Sequence, residues 1–172
     1  MMRQAFFYGY LKQPPLKKPL DDPYDVDGFV VGANSTVMPL ELKEKSVSKD
    51  GKFGLDVGRI QMMLRLGLAT DTNSLYVIRE VDSSTDRRFL GWRYIDLGTL
   101  LFAGSWNLKG GGRSMTGGRT QTVMVARTLF HNFSDEFLSD GWFARNASLQ
   151  GSAQQSATEY TAALQQFLQP KG

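Results

Sequence analysis

The chain has a single histidine, His131, and no cysteine. Those two counts remove most of the side-chain chemistry open to a protein. Without a thiol there is no disulfide, no thiolate zinc site, no iron–sulfur cluster and no thiol nucleophile. His131 has Ser134 and Asp135 close by in sequence. A nucleophile, a base and an orienting acid are defined by spatial geometry, however, and a lone histidine near a strand end is ordinarily structural. The carboxylate pairs Asp21/Asp22 and Asp135/Glu136 fall in a proline-rich stretch and in the first turn of an expected helix, where the helix dipole favours acids anyway. Neither has the look of a glycosidase-type pair. Asp21, Asp25 and Asp27 lack the loop length and closing glutamate of a calcium hand. No catalytic residue, no metal ligand and no cofactor is expected.

Two stretches carry binding chemistry instead. Lys109-Gly-Gly-Gly-Arg113-Ser-Met-Thr-Gly-Gly-Arg119 sets three bases among five glycines. Its lysine precedes the glycines and no helical pattern follows directly, so it is not a phosphate cradle of the P-loop kind. It reads as an irregular basic loop, either simply exposed or ordering on a phosphate or a partner. Arg87-Arg88-Phe89-Leu90-Gly91-Trp92-Arg93-Tyr94 interleaves aromatics with arginines. Stacking bases while neutralising their backbone uses these residue types, and aromatics on one strand face are equally the ordinary content of a core.

Charge follows the same division. Residues 1–20 carry Arg3, Lys12, Lys17 and Lys18 and no acid, and residues 21–27 carry Asp21, Asp22, Asp25 and Asp27 and no base. Residues 87–127 hold Arg87, Arg88, Arg93, Lys109, Arg113, Arg119 and Arg127 against Asp96 alone, within a chain whose net charge is only +3. A segment of this kind suits phosphate backbones or anionic lipid, unless acids elsewhere balance it in space.

The elements that would position these residues follow from spacing. At 172 residues with 41% apolar and 22% charged side chains, the chain is of single-domain size and can bury a core. No apolar run is long enough to span a bilayer, and no signal peptide is read at the start. Residues 1–28 form an arm: Phe6, Phe7, Tyr8 and Tyr10, then Pro14, Pro15, Pro19 and Pro23 among the lysines, an extended composition. Its aromatics either tuck into the chain's own core or dock on a neighbouring subunit. Residues 29–172 form one globular domain. Strands are predicted over 28–42, with Pro39 marking an edge or bulge, and over 75–81, 89–97, 99–106 and 120–130. Val57, Ile60, Leu64 and Leu68 make the stripe of a helix over 56–68, capped by Asp56 and ended near Gly67. Ser134 is placed to cap a short helix through Leu138, with breaks at 140–141 and 146–151. Ser156 and Glu159 fit a capping box for a closing helix striped by Tyr160, Leu164 and Phe167. The fold class is α+β: an antiparallel or mixed sheet of about five strands, one inserted helix and a C-terminal helix.

One stretch resembles a known family. The strand over 37–42, the helix over 56–68 and the run Phe102-Ala-Gly-Ser-Trp-Asn-Leu-Lys109 are similar to the central part of rhabdovirus matrix proteins, in which an apolar strand also ends in Gly-Ser-x-Asn-Leu-Lys. That family, too, begins with a basic, proline-containing arm, and the shorter members come from plant-infecting viruses. The Pro-Pro-x-Tyr motif of animal members is absent; Pro14-Pro15-Leu16-Lys17 stands in its place. The resemblance implies a non-enzymatic virion structural protein that self-associates and bridges a nucleocapsid to an anionic membrane, in the virion and host cytoplasm, peripheral to membrane and not secreted. Its implied anionic-surface residues are Lys12, Lys17, Lys18, Arg87, Arg88, Lys109, Arg113 and Arg119, and Phe6, Phe7, Tyr8 and Tyr10 would serve self-association. The alternative is a single-stranded nucleic-acid-binding protein of a phage or mobile element.

Overall fold

The computed structural model describes residues 26–32, 35–103, 108–113, 119–150 and 157–168. Of the expected arm only 26–28 fall within that set; Lys12, Lys17, Lys18, Phe6, Phe7, Tyr8, Tyr10 and the cap residue Ser156 lie outside it. The fold is α+β. The described residues form eight strands: β1 Gly28–Val31, β2 Val37–Ser46, β3 Lys52–Asp56, β4 Leu75–Val81, β5 Phe89–Asp96, β6 Leu108–Arg113, β7 Arg119–Ala126 and β8 His131–Asn132. Among the described residues four α-helices accompany them: α1 Val57–Thr70, α2 Leu97–Phe102, α3 Asp140–Asn146 and the C-terminal α4 Ala157–Leu168. A five-stranded sheet has the order β1-β2-β4-β5-β8, and a smaller sheet has the order β3-β7-β6. The large sheet is mixed, because β2 and β4 are parallel while its other pairs are antiparallel.

Pro39 shows why β2 tolerates a proline away from an outer edge. The strand pairs β1 from Val37 to Leu40 and β4 from Leu40 onward. Pro39 therefore sits where β4 has not yet begun, and its missing donor costs that ladder nothing.

β4 is buried on both faces, alternating Leu75, Val77 and Val81 with Tyr76, Ile78 and Glu80. On the Tyr76–Ile78 face lie α1, α2, α4 and the small sheet, whose Phe53, Leu55, Ile60, Leu64, Leu100 and Val123 form the main core. On the opposite face, Met38, Leu75, Val77 and Tyr94 pack against Trp142 and Phe143 of α3.

α1 begins as its sequence predicts, with the Asp56 carboxylate accepting the Arg59 N–H at 3.3 Å. It buries Val57, Ile60, Met63 and Leu64, whereas Leu68 points outward at 38% exposure. Gly67 does not end it. The helix runs to Thr70 and closes with Asp71 in the left-handed region, φ 49°. Gly67 serves close packing: a Cβ there would stand 2.5 Å from the Thr72 carbonyl oxygen and 3.1 Å from Leu149 Cδ2.

Three further expectations are corrected. The strand expected over 99–106 is helix α2 as far as Phe102, because Asp96 accepts the Thr99 N–H at 2.8 Å and starts a helical turn, and 104–106 lie outside the described residues. Asn73 holds this joint: it donates to Asp96 at 3.0 Å and accepts from Ser74 N–H at 2.8 Å and Gly98 N–H at 3.2 Å. The glycine run is not wholly irregular. Leu108–Arg113 forms β6, drawn into pairing by β7 with a register irregularity between Gly110 and Arg113. The helix expected from Ser134 is a pair of turns, because Leu138 takes φ 64°; the helix forms one turn later, with Ser139 capping Trp142 N–H at 3.3 Å.

Candidate functional site

Cross-strand partners share a sheet face, so register assigns each side chain its side. Val30 and Met38, Leu40 and Leu75, Leu42 and Val77, and Val77 and Tyr94 are partners. The apolar alternation of four strands thereby converges on one face. α3 covers only part of it. The remainder is a cleft of about 240 Å³, floored by Val30, Leu40, Leu42, Leu75, Val77 and Trp92 and walled by Phe133, Phe137 and Leu138. Every one of these side chains is apolar. An apolar cavity of ~150 Å³ holds a benzene ring, so the cleft has room for an aromatic side chain.

Aromatic rings line up along this face. Phe89 meets Trp92 at 5.9 Å between centroids, Trp92 stacks on Phe133 at 6.1 Å, and Phe133 meets Phe137 at 4.3 Å. Tyr94 contacts Phe137 at 4.1 Å and Trp142 at 5.8 Å. The inner end is buried; the outer end, with Leu42, Phe89, Trp92 and Phe133, is open to solvent. Leu90 is exposed because it is the extra residue of a bulge: Glu80 pairs Gly91 and Val81 pairs Phe89. The wall segment 133–140 carries Asp135, Glu136 and Asp140, all exposed, and no base.

The arginines near the cleft are held by acids. Arg79 and Arg87 both bond Glu44, Arg87 through Nε at 2.7 Å, and Arg79 also lies over the Phe89 ring at 5.2 Å. Glu44 is held below the usual carboxylate range by Arg87 first and Arg79 with it. Arg88 bonds Asp82 at 3.2 Å, closing the β4–β5 turn. Arg93 and Arg127 flank Glu80 on the opposite face. Arg87 and Arg88, expected to meet anionic surfaces, are thus both in ion pairs, and part of the local positive charge is balanced in space. Of the other expected residues, Lys109 lies opposite Thr122 in the β6–β7 register, and Arg113 lies opposite Arg119.

A second polar cluster lies beneath α1. The fully buried Glu41 carboxylate meets Lys43 at 2.5 Å and Arg59 at 3.5 Å, and Lys43 reaches Asp27 at 3.3 Å. Burial raises the Glu41 pKa in spite of Lys43 and Arg59, and burial lowers that of Lys45. His131 is exposed on β8, its ring 5.4 Å from Tyr94. Among the described residues no group of three His, Asp or Glu side chains is placed to hold a metal ion, and no helix is long and apolar enough to cross a membrane.

Sequence reasoning missed the cleft. The alternation of Trp92 and Tyr94 was legible, but read as core. The wall could not be found, because Phe137 and Leu138 were placed in a helix, expected from Ser134, that does not form, and nothing local positions Phe133.

No protein-family model, curated protein or solved structure matches the chain.

Proposed function

We propose that the chain is a non-enzymatic structural protein of matrix type, which self-associates and bridges a nucleocapsid and an anionic membrane surface. The observation that carries this reading is the solvent-open cleft, lined only by apolar side chains, whose wall segment 133–140 also carries three exposed carboxylates and no base. Such a surface recognises apolar side chains borne on a basic segment. The chain supplies one: residues 1–20 combine Phe6, Phe7, Tyr8 and Tyr10 with Arg3, Lys12, Lys17 and Lys18 and contain no acid. Between Tyr10 and Val26 the proline-rich stretch can extend at about 3 Å per residue, roughly 45 Å, far enough to reach a neighbouring copy. The β6–β7 hairpin supports the anionic-surface half of the reading, because its register puts Arg113 opposite Arg119 with Lys109 further along the strand.

Deletion of residues 1–20 tests the self-association half. The shortened chain is expected to keep the wild-type circular dichroism spectrum and to lose mass by light scattering. Identical masses for the two forms would overturn it. Exposed Phe89 and Trp92 beside Arg79 favour a second reading, single-stranded nucleic-acid binding by stacking. Phe89→Ala with Trp92→Ala would abolish oligonucleotide binding under that reading and leave vesicle binding intact under the first.

A further inference from the structure

We propose that the open edge of β1 is a homodimer interface, where β1 of one copy pairs antiparallel with β1 of a second about a two-fold axis at Val30. This deepens the self-association reading and rests on it, naming a strand edge that adjoins the cleft and does not involve the arm.

Hydrogen-bond parity in the β1–β2 hairpin comes first. Gly32 N–H bonds the Thr36 carbonyl at 2.9 Å. Bonded and non-bonded pairs alternate along an antiparallel ladder. Val30–Met38 and Gly28–Leu40 are therefore the bonded pairs, and Val31–Val37 and Phe29–Pro39 are not. Pro39, which has no N–H, fits that assignment. So does Asp27, whose carboxylate accepts the Leu42 N–H at 2.9 Å where β1's own backbone has run out. It follows that the N–H and C=O groups of Phe29 and Val31 face away from β2. Among the described residues β1 pairs with β2 alone.

An edge of this kind is normally guarded by a lysine, a proline or a charge pointing inward. Gly28-Phe-Val-Val31 has none. Phe29 is 59% exposed and Val31 66%, and Val37 beside them is 43% exposed. An extended strand can replace water on the outward backbone groups of both Phe29 and Val31, and parity restricts how a second β1 can fit. The outward residues must oppose each other. With the axis at Val30, Phe29 of each copy bonds Val31 of the other, giving an aromatic against a β-branched side chain on the exposed face, a favourable cross-strand pair. Gly28 then lies opposite Gly32, and no charge enters the seam. Moving the axis to Phe29 would set Asp27 against Val31 instead. The Asp27 charge is already taken by Lys43 at 3.3 Å. The arrangement is self-complementary and closed, as a two-fold interface must be. Val30, whose side chain lines the cleft, would meet its own symmetry mate, joining two clefts into one.

The chain has no cysteine, which makes the test clean. Val30 would face Val30 in a non-bonded pair with Cα atoms about 4.5 Å apart, inside the disulfide range. Full-length Val30→Cys is expected to oxidise to a covalent dimer on non-reducing gels, with Val37→Cys remaining largely monomeric. Adding Val31→Lys to Val30→Cys, or Val31→Pro, which deletes an outward N–H, should lower the cross-linked yield at least tenfold. Absence of the Val30→Cys dimer in a wild-type chain that is oligomeric by light scattering would overturn the β1 seam and leave the arm reading standing. Efficient cross-linking that survives Val31→Lys would also overturn it, since random collision then explains the link. A wild-type chain that is monomeric at every concentration would sink both readings together.

Discussion

Trp142 of α3 donates its indole N–H to the Tyr94 hydroxyl of β5 at 3.0 Å, and both side chains are buried. This bond fixes the helix that closes the inner end of the cleft to the strand that floors it. Burial pushes the Tyr94 pKa upward in spite of the Trp142 bond.

Tyr94→Phe removes the acceptor and leaves a buried N–H unsatisfied, at a cost of about 1–3 kcal/mol. The melting temperature should fall, and near-ultraviolet circular dichroism should report loosened packing around Trp142. An unchanged melting temperature would mean that water reaches the indole.

Leu64 is fully buried in α1, within the main core. Leu64→Ala should cost about 2–5 kcal/mol. Gln61, four residues from Arg65 on the same helix, is a milder case: its side chain donates to the Phe167 carbonyl at 3.3 Å, so Gln61→Ala should cost about 0.5–1.5 kcal/mol. Equal urea midpoints for the two variants would show that the helix face is misassigned.

Two buried glutamates should respond to acid in opposite senses. Burial works to raise the Glu80 pKa, but the bonds from Arg127 and Arg93 outweigh it and the net shift is downward. Its contribution to stability is therefore complete above the ordinary value of 4.5 and is lost as pH falls through the depressed one. The Glu41 pKa is raised, chiefly by burial. Its favourable contribution is complete below 4.5 and is lost as pH rises through the raised value. Glu80→Gln should destabilise at pH 7 and flatten the loss of stability toward pH 3. Glu41→Gln should cost less stability at pH 7 than Glu80→Gln, because burial already outweighs the Lys43 and Arg59 pairing of the Glu41 carboxylate. Urea titrations of both variants across pH 3–7 check this; parallel curves would contradict the opposite shifts.

Replacing Lys109, Arg113 and Arg119 with Ser should weaken binding to anionic vesicles by about 3 kcal/mol at most, near 1 kcal/mol per base. The wild-type affinity should fall steeply with salt, and the variant's less so. Matching affinities at low salt would remove the hairpin from the binding surface.

The sequence made the α+β class legible because strand alternation in 75–81 and 89–96 and the Asp56-capped stripe are local signals. The parallel β2–β4 pairing was not legible, since no local pattern states which distant strand lies alongside. Leu97–Phe102 was misread because its apolar run is too short to separate helix from strand, and the Asp96 carboxylate that caps it is held by Asn73, distant in sequence. The glycine run was misread for the opposite reason. Poor intrinsic strand propensity in residues 110–112 is overridden by the pairing surface of β7. Among the site residues, the arginines were identifiable by type, but their partners Glu44 and Asp82 are fixed only by register and turn geometry.

Because β2 and β3 enter different sheets, the partner strand of β3 lies far downstream, beyond α1, β4, β5, α2 and β6. That separation has a consequence for synthesis. At 5–20 residues per second, Phe53 and Leu55 wait about 3–15 s for Val125 and Val123 to emerge. The β4–β5 hairpin, by contrast, closes in microseconds once made. A nascent chain halted before Val125 has its hairpin and first helix but nothing to lay over Phe53. Stalled ribosome complexes should therefore acquire protease resistance abruptly, only after residue 126 clears the exit tunnel, and products terminated earlier should aggregate rather than persist as a smaller stable fold.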